Sequence, residues 1–210
     1  MTDHQDDAHL ARLLAEGAGR VLLDVRESGL SGRELAAAGD ATAHDYLVAA
    51  LSGMHPDDIV LSEEGADPST RLIADRVWIV DPLDGTREFS EPGRDDWAVH
   101  VALWQRGELV AGAVALPARG VCSATDEPPA VLPPLSRPDG EVRPDGEIRL
   151  DDVPLRLAVS RTRPPQLVHE LVGRYGMTQV PMGSAGVKCA AVWSGDADAY
   201  VHAGGQYEWD

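Results

Sequence analysis

Residues 78–89 read WIVDPLDGTREF. A β-branched run is followed there by two aspartates, Asp81 and Asp84, which are separated by Pro82 and Leu83. The run RVWIVD predicts a strand over 76–81, and Asp-Pro and Asp-Gly are common turn pairs. The last residue of a strand and the loop beyond it can point into one cleft, so Asp81 and Asp84 are expected to lie close together. Carboxylates this close repel one another unless a cation lies between them. The stretch therefore predicts either an ordinary turn or a metal site.

Magnesium is the cation that suits such a site. Mg²⁺ takes oxygen ligands at about 2.0–2.1 Å and keeps several of its waters. The Asp-x-x-Asp spacing leaves the carbonyl of Leu83 as a further ligand beside Asp81 and Asp84. Two such ions about 3.5–4 Å apart can activate a water and stabilise the leaving oxygen of a phosphate ester. The backbone N–H groups of Gly85 and Thr86 are then available to the phosphate.

Composition limits the class of protein. A chain of 210 residues with 43% apolar residues can form one large domain or two small ones. The 18 basic residues against 35 acidic ones give a formal charge of -17, which disfavours nucleic-acid polymers as partners. Two cysteines exclude a disulfide framework. No run approaches the roughly 20 apolar residues of a membrane span, and the N-terminus is acidic, so a cytoplasmic protein with no membrane partner is expected.

Hydrophobic periodicity indicates α and β elements in sequence order. Apolar residues recur at three and four positions from Leu10 to Val25, which predicts an amphipathic helix. A second helix is expected to begin near Asp40, a residue that can serve as its N-cap. Short β-branched or alternating runs predict four strands, at 57–62, 76–81, 97–104 and 108–116.

The second half alternates strands and helices after a segment rich in proline. This order predicts an α/β fold whose layered elements form two lobes. The predicted division is an N-terminal α+β lobe at 1–120, a loop or hairpin linker at 121–154 and a C-terminal α/β lobe at 155–210.

A second group of candidate anion donors lies in the C-terminal half. The run Gly183-Ser184-Ala185-Gly186 opens a predicted helix just before Lys188, and Arg161 follows a predicted strand. Helix N-termini present free N–H groups to anions. A Gly-Ser-Ala-Gly run by itself is usually an ordinary loop, and either cation is equally consistent with a solvated surface charge.

WIVDPLDGTREF resembles the metal-binding motif of the inositol monophosphatase superfamily, whose members remove phosphate from small sugars, inositols and nucleotides using Mg²⁺. The resemblance covers nearly the whole chain and implies a layered αβαβα sandwich of the inositol monophosphatase/fructose-bisphosphatase type. It also implies that Asp40 pairs with Thr86 to take the proton of the attacking water during in-line displacement. The implied metal ligands, for two or three ions, are Glu63, Asp81, Leu83, Asp84 and Asp210.

Within the superfamily, DPLDGTREF together with LSEEGAD and DAYVHAGGQYEWD resembles the CysQ-type phosphatases, particularly those of actinobacteria. This resemblance implies hydrolysis of adenosine 3′,5′-bisphosphate to AMP and phosphate, a step connected with sulfate assimilation. Members are often dimeric, so a homodimer is an expectation, and they continue past the Trp-Asp pair, so 155–210 is expected to be an incomplete lobe. The implied substrate-binding residues are Gly85, Thr86, Arg161, Gly183, Ser184 and Lys188.

Two other functions stay open from the sequence. One is a broad inositol monophosphatase or fructose-1,6-bisphosphatase, against which the Arg87-Glu88 pair argues by resemblance. The other is a cation-binding regulatory protein without turnover. A pure cation binder has no need of a proton-taking pair beside the metal, so Asp40 and Thr86 argue against it.

Overall fold

A computed structural model describes residues 3–127 and 154–209. These residues form two compact units. Among them, the first unit comprises 3–127, 184–186 and 206–209, and the second comprises 154–183 and 187–205. The segment predicted as a linker, 121–154, begins with a strand, and its residues 128–153 lie outside the described residues.

Two long helices and a five-stranded sheet make up most of the first unit. The helices are α1 (Asp3–Arg26) and α2 (Gly32–Met54), and a five-residue helix, α3 (Thr86–Ser90), follows the second strand. In the sheet β1 and β2 are parallel and all later neighbours are antiparallel. The strands lie in chain order: β1 (Ile59–Ser62), β2 (Arg76–Asp84), β3 (Ala98–Gln105), β4 (Glu108–Leu116) and β5 (Val121–Ala124).

Helix α1 confirms the predicted amphipathic segment. Small and aliphatic residues spaced three or four apart, such as Leu14, Ala18 and Leu22, are buried in one core cluster. The same cluster contains Leu47 of α2 and Trp78 of β2. The two helices therefore cover one face of the sheet, and they place α2 close to the end of β2.

Helix α2 begins eight residues earlier than predicted. Its N-cap is Ser31, so Asp40 lies within the helix and the interpretation of Asp40 as a helix cap is wrong. Glycines 32 and 39 lower the apparent helix propensity of this stretch. Gly39 is needed for packing, because an added Cβ would lie 2.6 Å from the Phe89 ring. The side chain of Asp40 therefore does not cap the helix and can make another contact.

The DPLD motif lies inside β2, not in a turn after it. Strand β2 pairs on both sides, and its register with β3 shifts between Asp81 and Asp84. Pro82 has no N–H to give to the ladder, and the N–H of Leu83 donates to Asp81 Oδ1 at 3.0 Å. The irregular strand end is therefore stabilised by one of its own carboxylates.

The second unit contains a parallel three-stranded sheet in the order β7-β6-β8, with Leu157, Val159 and Val168 in its own core. No helix in the described ranges combines the length and the apolarity that crossing a membrane requires. The elements are β6 (Arg156–Ser160), α4 (Gln166–Tyr175), β7 (Thr178–Met182), α5 (Ala185–Trp193) and β8 (Ala199–Tyr200), and α5 starts with residues of the first unit.

Candidate active site

Three titratable side chains meet where β2 and β3 lie side by side. Asp81 of β2 is the cross-strand partner of His100 of β3. Asp84 lies further along β2, beyond the point where the register of the two strands shifts. One carboxylate oxygen of each aspartate and a ring nitrogen of His100 lie within 4.8 Å of one another. Asp81 is 1% exposed and His100 is 8% exposed. The sheet therefore holds this group almost entirely away from solvent.

Asp84 is held through one of its two oxygens. Its Oδ2 accepts a hydrogen bond from the Ser184 hydroxyl and another, of 2.9 Å, from the Gly186 N–H. His100 Nε2 lies 3.2 Å from the same oxygen, in an ion-pair contact that lacks hydrogen-bond geometry. Within the described residues these contacts leave Asp84 Oδ1 available to a ligand.

Charge and burial set the pKa values of this group in opposite directions. Burial raises the pKa of Asp84, but the contact with His100 and the donors Ser184 and Gly186 lower it to about 2. Burial lowers the pKa of His100, and the contact with Asp84 and its charge raise that pKa to about 9. The metal-free protein thus pairs an ionised Asp84 with a cationic His100.

The pKa of Asp81 is shifted in the opposite direction from that of Asp84. Burial first, and then the nearby carboxylates of Asp84 and Glu63, raise its pKa well above the ordinary value, although His100 opposes them. The Glu63 carboxyl is hydrogen-bonded to Asp81, and the Glu63 N–H donates to Val80 O at 3.2 Å. Crowded carboxylates of this kind become ionised together only when a cation compensates their charge.

Thr86 and Asp40 form the second part of the site. The Thr86 hydroxyl lies 3.3 Å from Asp40 Oδ1 and 3.2 Å from the Leu83 carbonyl, so its one proton is shared between two acceptors. Burial, followed by the charge of Glu64, raises the pKa of Asp40 to about 6, while the Thr86 hydrogen bond lowers it. The structure therefore brings the predicted pair within hydrogen-bonding distance.

Gly85 lies between Asp84, in the first part of the site, and Thr86, in the second. Its φ is +91°, a left-handed conformation in which side chains are strained. A Cβ there would lie 3.3 Å from Asp96 O, Ser184 Cβ and Trp97 Cα. Glycine at this position therefore lets β2 turn directly into α3, with Thr86 as the first residue of that helix.

The raised pKa of Asp40 gives a stability prediction for the metal-free protein. Because the folded-state pKa of about 6 exceeds the ordinary 3.8, Asp40 favours folding below pH 3.8 and this contribution is lost as pH rises through 6. Asp40→Asn should therefore gain thermal stability relative to the parent on going from pH 4 to pH 7.5. Melting temperatures measured in EDTA test this, with the exposed Asp45→Asn on the same helix as control. A difference in melting temperature that does not change with pH contradicts the assignment.

The remaining predicted site residues lie elsewhere. Asp210 lies outside the described residues. Arg161, Gly183 and Lys188 belong to the second unit. Lys188 is 6% exposed, donates from Nζ to the Gly183 carbonyl and lies 5.3 Å from the centroid of the Tyr200 ring. It is therefore a buried and bonded cation and not a solvated surface charge.

His100 is the site residue that the sequence failed to indicate. A histidine in the apolar run WAVHVALW is typical of a core position, and we expect no catalytic work from such a residue. In the structure it contacts Asp84 through Nε2 and donates from Nδ1 to Trp209 O at 2.9 Å. The available signal was that His100 alternates with buried apolar residues on the strand that pairs with the DPLDG strand.

Known proteins resemble this chain over nearly its whole length. The sequence pattern of the inositol monophosphatase family matches residues 5–210. The chain belongs to this family. It is 47% identical over 215 residues to the 3'-phosphoadenosine 5'-phosphate phosphatase of Mycobacterium leprae, covering 97% of this chain and 74% of that protein. It is 48% identical to the protein of the same name from Mycobacterium tuberculosis, covering 92% of this chain and 70% of that one.

Solved structures show the fold. CysQ from Bacteroides thetaiotaomicron matches with a TM-score of 0.72 and 24% identity, covering 98% of this chain and 83% of that chain. Inositol monophosphatase II from Staphylococcus aureus matches with a TM-score of 0.68 and 22% identity, covering 90% and 70%. The predicted α/β fold of the inositol monophosphatase type is confirmed.

The residues of the site fit a bound cation. The family is metal-dependent, and the carboxylate group around Asp81 and Asp84 has the oxygen donors that hard divalent ions prefer. Burial and the nearby carboxylates raise the pKa of Asp81, so ionisation of Asp81 is unfavourable unless a further cation binds. Two properties of the chain, its donor atoms and the electrostatic cost of ionising Asp81, therefore agree with the family.

Proposed function

We propose that this protein is a Mg²⁺-dependent phosphomonoesterase that converts adenosine 3′,5′-bisphosphate to AMP and phosphate. The observation that carries the reaction class is the Thr86 and Asp40 pair, 3.3 Å apart, next to the Asp81 and Asp84 group. The substrate assignment is supported by the printed activity of the mycobacterial relatives at 47% and 48% identity.

The proposed ligands of two or three Mg²⁺ ions are Glu63, Asp81, Asp84, Asp210 and the carbonyl of Leu83. Bound Mg²⁺ supplies Lewis acidity at the phosphate ester and lowers the pKa of water. Asp84 offers Oδ1, because its Oδ2 is held by Ser184, Gly186 and His100. The protein thus fixes one carboxylate oxygen of Asp84, and the other is the one that would hold the ion.

Thr86 and Asp40 take the proton from the attacking water. The Thr86 proton has two acceptors, Asp40 Oδ1 and the Leu83 carbonyl. A cation that bound the Leu83 carbonyl would leave Asp40 as the acceptor of the Thr86 proton. The Thr86 hydroxyl oxygen would then accept a hydrogen bond from the water and align it for in-line attack. As the water attacks, its proton passes to Thr86 Oγ1 while the Thr86 proton passes to Asp40 Oδ1.

Further polar groups are proposed for the substrate. The N–H groups of Gly85 and Thr86 serve the phosphate that reacts, since they begin α3. Arg161, Gly183, Ser184 and Lys188 are proposed for the second phosphate, where charge-assisted hydrogen bonds are stronger than neutral ones. A bisphosphate has a second charged group that such donors can bind, and a monophosphate lacks it.

A substrate comparison tests the proposal. We expect kcat/KM for adenosine 3′,5′-bisphosphate to exceed that for inositol 1-phosphate by about tenfold to a hundredfold, the effect of one charge-assisted hydrogen bond. Lys188→Met, which keeps the buried volume but removes the charge, should reduce this preference and leave the inositol 1-phosphate reaction nearly unchanged. Phosphate release at saturating Mg²⁺ is the measurement.

The matched control is Arg174→Met, because Arg174 lies at the end of α4 against the ring of Tyr175. Equal kcat/KM for the two substrates in the unmodified protein would favour the broad inositol or sugar phosphatase. Absence of phosphate release from every ester at saturating Mg²⁺ would favour the cation-binding protein without turnover.

A further inference from the structure

The loop that carries Glu63 is tied to α2 by a side-chain bond. His44 Nδ1 lies 2.8 Å from the hydroxyl of Ser62, the last residue of β1. Ser62 is 4% exposed, so its hydroxyl has little access to water as an alternative partner. A buried hydroxyl that loses its partner costs more than the bond itself contributes. The bond therefore fixes where β1 ends.

The same histidine also packs on the turn that follows. Residues 62–65, the SEEG turn, close with the Gly65 N–H donating to Ser62 O at 3.1 Å. A Cβ on Gly65 would lie 3.4 Å from His44 Cε1. The imidazole thus bonds to the first residue of the turn and lies close to the last one, and Glu63 and Glu64 lie between these two residues.

Helix geometry connects this turn to Asp40. Asp40 and His44 are four residues apart on α2, so their side chains lie on the same face. The charges of Glu64 and Glu63 raise the pKa of Asp40, and the Glu63 carboxyl is hydrogen-bonded to Asp81. One helix face therefore presents both the predicted proton acceptor and the residue that holds the SEEG turn.

We propose that His44 is a positioning residue of the active site, whose bond to Ser62 holds the SEEG turn so that Glu63 stays against Asp81. This inference rests on the proposed metal-dependent function. It assigns His44 no contact with substrate and no proton transfer. Its expected effect is on cation affinity, because a displaced Glu63 leaves the cation with fewer carboxylates.

The test compares two substitutions of the same histidine. His44→Asn retains a polar group near the position of Nδ1, whereas His44→Leu retains the size but not the bond. Calorimetric titration with Mn²⁺, in the absence of substrate, should show about fivefold to tenfold weaker binding in His44→Leu and in Ser62→Ala, the usual range for one hydrogen bond. His44→Asn should bind Mn²⁺ within about twofold of the parent.

A double variant separates this bond from general packing. His44→Leu combined with Ser62→Ala should bind Mn²⁺ no more weakly than either single variant, because both remove the same interaction. Thr42→Ala, which removes an exposed hydroxyl on the same helix, is the control and should not change Mn²⁺ binding. Circular dichroism and the melting temperature in EDTA verify that each variant is folded.

Three results would overturn the proposal. They are unchanged Mn²⁺ affinity in His44→Leu, equal weakening in His44→Asn and His44→Leu, or additive losses in the double variant. The titration contains no nucleotide, so a failure of adenosine 3′,5′-bisphosphate as substrate would remove the proposed reaction and leave this result standing.

Discussion

Asp84→Asn should lower kcat about 10³-fold at saturating Mg²⁺, the loss expected when several kcal/mol of transition-state stabilisation by a cation is removed. The amide oxygen of asparagine can still accept from Ser184 and Gly186, as Asp84 Oδ2 does. What the substitution removes is the negative charge and the second oxygen. The variant should therefore keep the fold while it loses turnover.

Phosphate release and circular dichroism measured on the same samples distinguish these effects. The melting temperature in EDTA should fall by a few degrees, because the ion pair with His100 is lost. Asp75→Asn is the matched control, since Asp75 is exposed and pairs with Arg106 on the surface. Turnover of Asp84→Asn within tenfold of the parent at saturating Mg²⁺ would show that Asp84 is not a ligand.

Thr86→Val should lower kcat by about 10²-fold to 10⁴-fold, the usual contribution of a positioned acid-base group. Valine keeps the branched shape at the start of α3 but cannot donate to Asp40 Oδ1. KM should change little, because the hydroxyl is proposed to act on the water and not on the ester. Steady-state kinetics at saturating Mg²⁺ give both constants.

Two further variants make this prediction specific. Ser90→Ala is the control, because its hydroxyl donates only to Arg87 O within the same short helix. Asp40→Asn should show a loss of similar size, and the double variant should be no slower than the worse single variant. Independent, multiplying losses would mean that Thr86 and Asp40 do not act as a pair.

Local patterns account for the parts of the fold that the sequence indicated. Apolar residues of α1 recur at three and four positions from Leu10 to Val25, and the hairpin of β3 and β4 has alternating residues around a glycine turn. The start of α2 was predicted too late because two glycines interrupt its pattern. Gly39 is explained only by its contact with Phe89, which lies 50 residues away in sequence.

The site shows the same difference between local and distant signals. Asp81 and Asp84 were predicted from their spacing, because both belong to one strand end. The donors that orient Asp84, Ser184 and Gly186, lie 100 residues or more along the chain, so their spacing carries no signal. The signal for His100 is of a third kind. Its sequence neighbours are those of a core histidine, and only its pairing with Asp81 across the strands places it in the site.

The hydrogen bond from the Leu83 N–H to Asp81 Oδ1 gives this proposed metal ligand a second role, in the fold. The oxygen accepts from the backbone at a point where Pro82 and the register shift interrupt β2. An oxygen at position 81 is therefore needed at this strand end whether or not a cation is bound, as an oxygen at position 84 is needed by the donors Ser184 and Gly186.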